Sequence, residues 1–272
     1  MTLMEGAILG IVQGLTEPLP VSSSAHLVIV PAWIPGFRAP GVAFDVFLHL
    51  GTVVAVVFFL RREVGNLIAS VTTGTRNPRT DASEKAADRR MVLWIVIATL
   101  LTGAIGIPFK DRIELLFESV EITACMLFIT GILLYGADRV KTNKRQRGDM
   151  NLKDAIILGL VQAVALIPGI SRSGSTISFG IFRGLERETA ARFSFLLSVP
   201  AISGAVILKS ADLLLIPAGD LPALGIGFLA AAVTGFLSLK LLFAMIRKIG
   251  FAPFAWYCWL VGIATLVMRN MG

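Results

Sequence analysis

Six stretches of this chain are apolar enough and long enough to cross a lipid bilayer: about 43–60, 91–109, 120–137, 193–209, 222–245 and 252–268. A helix needs roughly 20 mostly apolar residues to span the hydrocarbon. Inside hydrocarbon every backbone N–H and C=O must find its partner within the segment, so runs of this length fold as helices. Composition agrees. Of 272 residues, 55% are hydrophobic and 16% charged, against about 25% charged in a soluble domain. One water-surrounded core cannot hide that much apolar surface, so lipid covers part of it. The expected fold is an all-α polytopic membrane protein with about six full transmembrane helices, one membrane domain over residues 1–272.

Four shorter apolar pieces remain, at about 3–15, 26–35, 155–167 and 174–183. They form two pairs, each interrupted by a polar loop containing proline, and such pairs read as re-entrant broken helices. The net charge is +7, but the cations sit in short loops between apolar runs. That is a topology signal, and nucleic acid is not an expected partner. The 61–90 connection carries Arg61, Arg62, Arg76, Arg79, Lys85, Arg89 and Arg90. The 138–153 connection carries Arg139, Lys141, Lys144, Arg145, Arg147 and Lys153, and Arg247 and Lys248 mark a third basic turn. The positive-inside rule assigns these to the cytoplasm, and the acidic 110–119 and 210–221 segments to the other side. The first broken pair then enters from outside and the second from the cytoplasm. Cys125 and Cys258 lie within apolar runs and offer no disulfide framework or zinc spacing. The N-terminus shows no basic region or cleavage site of a removable signal peptide.

The chain also resembles itself. A shift of 149 positions carries Gly10, Val12 and Gln13 onto Gly159, Val161 and Gln162, and Ser22 and Ser24 onto Ser171 and Ser173. Phe44, Leu48 and Val57 fall on Phe193, Leu197 and Val206. The assigned topology runs 43–60 and 193–209 in opposite directions. An inverted-topology repeat follows, with halves at approximately 1–137 and 150–272 joined by the basic cytoplasmic loop 138–153. Such repeats bring their broken helices together near the midplane.

The first polar loop runs from Gln13 through Glu17, Pro18 and Pro20 to Ser22, Ser23, Ser24 and His26. The second runs from Gln162 through Pro168 and Gly169 to Ser171, Arg172, Ser173 and Thr176. Proline and glycine break each helix, and a new half-helix starts at the serines, which are good N-caps. Helix N-termini carry partial positive charge and bare N–H donors, so two of them meeting would bind an anion. Arg172 is costly in a membrane unless paired or lining a wet cavity, and its planar fork suits phosphate oxygens. Its alternative role is an ion pair with Glu17 that only joins helices. Ser22, Ser171, Ser173 and Thr176 are candidate hydroxyl donors to the same phosphate. Ser175 and Ser178 read as small packing residues. Glu17 could hold a divalent metal, orient a nucleophile or act as base. Gln13, one turn earlier, could donate to an oxyanion or give its carbonyl to a metal. His26 is a candidate general acid, base or nucleophile. His49 reads as structural, and Asp45 as a partner behind the loop.

These residues are similar to those of the undecaprenyl-diphosphate phosphatase family, the bacterial enzymes tied to bacitracin resistance. The resemblance rests on Gln13-x-x-x-Glu17, on Leu19 to His26, on Phe44-Asp-Val with Leu50-Gly51, and on Pro168 to Gly174 with Thr176. It covers nearly the whole chain. It implies hydrolysis of a C55 polyprenyl diphosphate to the monophosphate carrier of peptidoglycan synthesis. It also implies a divalent cation, Mg²⁺ or Ca²⁺, at Glu17 with Gln13, and a multi-pass protein of the bacterial plasma membrane. Ser23 and His26 fill the family's nucleophile and proton-transfer positions, and Ser171, Arg172 and Thr176 its phosphate-binding motif. The family often has Glu where this chain has Gln13, and a common aromatic where it has Pro18. Expected partners are the polyprenyl diphosphate and membrane lipid; a homodimer is compatible with this reading. The rival is a transporter of an anion or lipid phosphate on the same architecture. A lipid kinase ranks last, because no Gly-rich P-loop is present.

Overall fold

In this computed structural model residues 1–37, 41–72, 82–140, 144–213 and 215–271 are described. Arg76, Arg79 and Lys141 of the basic loops lie outside them. The described residues are helical throughout, with no named strand. The order is α1 (Leu3–Thr16), α2 (Ser23–Trp33), α3 (Val42–Phe59), α4 (Arg61–Thr72), α5 (Ala82–Gly106), α6 (Lys110–Leu116), α7 (Val120–Asp138) and α8 (Leu152–Val164). There follow α9 (Arg172–Phe182), α10 (Arg187–Leu208), α11 (Ser210–Leu213), α12 (Leu221–Lys248) and α13 (Ala252–Met271). Six helices are long and apolar enough to cross a membrane, and they coincide with the six apolar runs. This is a multi-pass membrane protein.

Several helices outrun their apolar stretches. α5 begins at Ala82 and α10 at Arg187, ahead of the runs expected from about 91 and 193. Hydropathy marks only the part of a helix that meets hydrocarbon; the hydrogen-bond ladder continues into the polar interface, where charged side chains reach water. α4 occupies part of the 61–90 connection. It buries Leu67 and Ser70 on one face and packs on α5, where Arg89 Nε donates to the Ser70 carbonyl (2.7 Å).

Close approach of backbones organises the interior. α1 lies along α12, with Gly6, Gly10 and Gly14 against Ala223, Gly227 and Ala231. A methyl group added at Gly10 would overlap the Gly227 carbonyl oxygen. Small residues at a spacing of four let membrane helices reach van der Waals contact along their length. α8 lies on α5 in the same way, where a Cβ at Gly159 would be 2.8 Å from the Ala98 backbone. α3 packs on α12 and α10, α10 also touches α5, and α7 pairs with α13.

Polar contacts tie the broken helices to particular loops. The Met1 amino group reaches Asp220 Oδ1 (2.6 Å), so α1 begins beside the acidic 210–221 segment. Phe37, just past α2, and Ile216 pack with Met1 on a small cluster of Leu9, Leu27, Phe44, Leu48 and Leu224. The start of α8 and the end of α9 meet the basic connection instead. There the buried Asp154 accepts from Arg145 Nη2 (2.5 Å) and Arg183 Nε (3.0 Å). Burial alone would push the Asp154 carboxyl up, but Arg145, the Asn151 N–H and Arg183 together hold it below its ordinary value.

The glycine stripe makes a direct prediction. Gly10→Val should lower the thermal transition of the detergent-solubilised protein by an amount matching about 1–3 kcal/mol of overpacking. Gly225→Ala, where added atoms meet open space, should leave the transition unchanged.

Candidate active site

The first turn is built from the end of α1. Glu17 caps that helix, its N–H donating to the Gln13 carbonyl (2.9 Å). Residues 18–21 then reverse the chain. Ser22 sits at φ 67, the one non-glycine residue with positive φ among those described. Its Oγ accepts from the Ala25 N–H (3.4 Å) and so caps α2. The second turn repeats the plan between α8 and α9. Gly169 takes φ 94, and Ser171 Oγ accepts from the Gly174 N–H (3.0 Å). Thr130 of α7 fastens this turn. Its hydroxyl donates to the Gly169 carbonyl (2.8 Å) and accepts from the Ser171 N–H (2.9 Å).

Capping leaves the N–H groups of Ser23 and Ser24 on α2, and of Arg172 and Ser173 on α9, without protein partners. An α-helix starts with four such donors, and one side-chain oxygen rarely satisfies more than one. Both turns therefore present donors and the positive ends of helix dipoles. Ser173 Oγ donates to the Glu17 carbonyl (3.3 Å), which joins one turn to the other.

Glu17 is the hub. Arg172 Nη2 donates to Oε1, and Ser23 Oγ donates to Oε2. Gln13 Nε2 also reaches Oε2 (3.3 Å), as does His49 Nε2 (3.4 Å). The carboxylate and the guanidinium keep only 10% and 15% of their side-chain surface exposed. An uncompensated ion there would cost several kcal/mol, so each needs the other. Arg172 also donates through Nη1 to the Ser194 carbonyl (3.2 Å). The rest of its five donors stay available for an anion. Thr176 Oγ1 donates to the Arg172 carbonyl (2.8 Å) and lies 2.6 Å from Ser194 Oγ.

The sequence-predicted residues are thus gathered unevenly. Gln13, Glu17, Ser23, Arg172 and Ser173 form one connected cluster. Ser22 and Ser171 border it and spend an oxygen lone pair on capping. Thr176 braces Arg172 from behind. His26 is buried on the same half-helix, but its ring turns elsewhere: Nδ1 lies 2.8 Å from the Ser22 carbonyl and Nε2 2.9 Å from Tyr257 Oη. Asp45 offers its backbone oxygen to His49 Nδ1 (2.7 Å), and its Oδ1 is buried without a partner. Ser175 and Ser178 are buried with unpartnered hydroxyls, as packing residues would be.

Sequence reasoning missed three members. His49 looked structural within an apolar span, yet it points at Glu17. A histidine one turn after an aspartate on the helix beside the loop was the available signal. Ser194 and Tyr257 gave none, since each lies in a long helix outside both polar loops. Oxygen donors for a hard cation are present: the Glu17 carboxylate and, beside it, Gln13 Oε1, a buried amide oxygen without a partner. Among the described residues no three His, Cys, Asp or Glu side chains converge as a metal cage. The set fits a cation that takes its other ligands from phosphate and water, as Mg²⁺ commonly does.

Thr130 provides a test of how the second turn is held. Thr130→Val strands a buried carbonyl and a buried N–H, each costing roughly 1–3 kcal/mol. The variant should melt earlier in detergent and lose anion affinity, read as phosphate protection of the thermal transition. An unchanged melting curve with unchanged protection would show that the turn holds itself.

Comparison with known proteins bears on this cluster. Residues 6–264 match the family model described as bacitracin resistance protein BacA. The chain is 44% identical to an undecaprenyl-diphosphatase of Gemmatimonas aurantiaca, over 99% of this chain and 100% of that one. It is 42% identical to the undecaprenyl-diphosphatase of Syntrophotalea carbinolica (96% and 97% covered) and 40% identical to that of Methanobrevibacter smithii (97% and 96%). With similarity running from end to end and through both polar turns, the chain belongs to the BacA family of bacitracin resistance proteins.

Proposed function

We propose that this chain hydrolyses undecaprenyl diphosphate to undecaprenyl phosphate and inorganic phosphate, the activity for which its relatives are named. It would thereby return the lipid carrier to peptidoglycan synthesis and confer bacitracin resistance. The observation that carries this reading is Glu17, with a serine hydroxyl on one oxygen and a guanidinium on the other.

Hydrolysis needs charge neutralisation on the transferring phosphoryl group and a proton acceptor at the nucleophile. Arg172, the free N–H groups of α2 and α9, and Ser173 supply the first. Glu17 supplies the second: its Oε2 accepts the Ser23 proton as Ser23 Oγ forms a bond to the terminal phosphorus. The bond from that phosphorus to the bridging oxygen breaks, and the lipid monophosphate leaves. Water then attacks the phosphoserine, its hydroxyl passing to phosphorus and its other proton to solvent; the bond to Ser23 Oγ breaks, and that oxygen takes its proton back from Glu17 as phosphate leaves. His26 is the second proton-handling group. Mg²⁺ or Ca²⁺ would be held by Glu17 and Gln13 Oε1 with substrate oxygens, and when bound would neutralise part of the diphosphate charge. Substrate entry replaces the direct Arg172 contact with phosphate contacts, so the ion pair holds the site's shape until the anion arrives.

Two features support the finer architecture: an inverted repeat of approximately 1–137 and 150–272, with two re-entrant pairs in one membrane domain. Helix contacts exchange under the repeat, since α1 on α12 matches α8 on α5, and α3 on α12 matches α10 on α5. The openings of the two pairs are also tied to different loops, one acidic and one basic. We assign the basic loops to the cytoplasmic side of a bacterial plasma membrane. The transporter reading is less favoured, because a carrier of anions has little use for a hydroxyl bonded to a carboxylate beside its cation.

Phosphate release from a C15 or C55 prenyl diphosphate in detergent tests the scheme. Ser23→Ala should be inactive. Arg172→Lys keeps the charge but loses the fork, and should lose about 10²–10³-fold in turnover, as when a donor to a developing charge is removed. Parent-like turnover in either variant would sink the assignment. EDTA should abolish activity and added Mg²⁺ or Ca²⁺ restore it; activity indifferent to EDTA would remove the cation from the scheme.

A further inference from the structure

We propose that Tyr257 is a positioning residue of the reaction, acting through His26; this rests on the phosphatase reading and on the role of His26 within it. Tyr257 stands on α13, far from both polar turns in sequence. Its residue surface is 43% exposed, on a helix that also presents Trp256 and Leu260 outward. Its hydroxyl nevertheless turns inward, to 2.9 Å from His26 Nε2. The two rings stack with centroids 5.6 Å apart and planes 10° from parallel.

The other ring nitrogen fixes the chemistry. His26 Nδ1 faces the Ser22 carbonyl at 2.8 Å. A carbonyl only accepts, so Nδ1 carries a proton. In the neutral ring Nε2 is then the lone-pair nitrogen, and the Tyr257 hydroxyl donates to it. The Ser22 carbonyl is aimed by the positive φ of its own residue, a conformation that costs about 1–3 kcal/mol and persists only where the surroundings enforce it. The same carbonyl takes the His26 N–H (3.3 Å). Nδ1 is therefore committed to the start of α2, and Nε2 is the only atom of His26 able to give or take a proton during turnover. Tyr257 lies on that atom. It holds the ring edge, selects the Nδ1–H tautomer, and covers Nε2 until substrate displaces the phenol.

The chain has two histidines, which makes the contact directly readable. In the ¹⁵N-histidine-labelled protein, His26 should show a protonated Nδ1 and a hydrogen-bonded, unprotonated Nε2, with His49→Gln separating the two rings. Tyr257→Phe keeps the stack and removes only the hydroxyl. Its Nε2 resonance should move toward the value of an unbonded lone pair. Its kcat on a C15 prenyl diphosphate should fall about 10- to 100-fold, the size of loss known for partners that orient metal-bound histidines, with KM within about twofold of the parent.

Parent kcat, or an Nε2 resonance that does not move, would overturn the proposal. A fall in kcat without the spectral change would mean that Tyr257 matters only for packing, which also overturns it. His26→Ala separates the layers. If that variant turns over like the parent, the His26 assignment fails and this proposal with it, while the phosphatase reading stands on Ser23 and Arg172. If the parent itself releases no phosphate, the phosphatase reading fails.

Discussion

A carboxylate and a guanidinium that cannot be buried singly set the terms for this protein. Glu17 ends one broken helix and Arg172 begins the other. In a low-dielectric interior each would carry a desolvation cost of several kcal/mol, and only their contact, with added hydrogen bonds, offsets it. The two turns must therefore meet. Gly6, Gly10 and Gly14 let α1 reach α12 at backbone contact, Gly159 does the same for α8 on α5, and Thr130 pins the second turn.

The same two turns leave backbone donors that a bound anion would satisfy. A helix that breaks leaves backbone groups at its new ends without intrahelical partners. Serine caps satisfy some of them. The N–H groups left at the starts of α2 and α9 need an oxygen-rich partner, and a diphosphate has that chemistry. Glu17 pairs with Arg172 through one oxygen and accepts the Ser23 hydroxyl hydrogen bond on the other. One carboxylate thus joins the two turns and, in the proposed reaction, takes the Ser23 proton.

Much of this was legible in sequence, and for definite reasons. Apolar runs report transmembrane helices because hydrocarbon admits few alternatives. Pro18, Pro20, Pro168 and Gly169 report the breaks because they remove donors or demand unusual backbone angles. Arg172 and Glu17 stand out because charge among apolar residues is costly and so has a use. His49, Ser194 and Tyr257 were not legible. A histidine, a serine or a tyrosine in a long helix is tolerated for packing alone, and its partner lies tens to hundreds of residues away. Nor could hydropathy find α4 or the polar starts of α5 and α10, since those turns face the interface.

The amino-acid sequence by itself determined that the chain enters a membrane, where its helices break, and which polar and charged side chains stand at the breaks. These follow from local physical chemistry: transfer of side chains to lipid, and backbone angles open to proline and glycine. Tertiary structure decided the wiring. It put Ser23 and Arg172 on opposite oxygens of Glu17, brought His49 to the same carboxylate, and turned His26 toward Tyr257 rather than toward Ser23. Hydrogen bonds of about 3 Å depend on how helices distant in sequence pack and rotate. That rotation is fixed by the glycine and alanine contacts of the whole bundle and by no single stretch of chain.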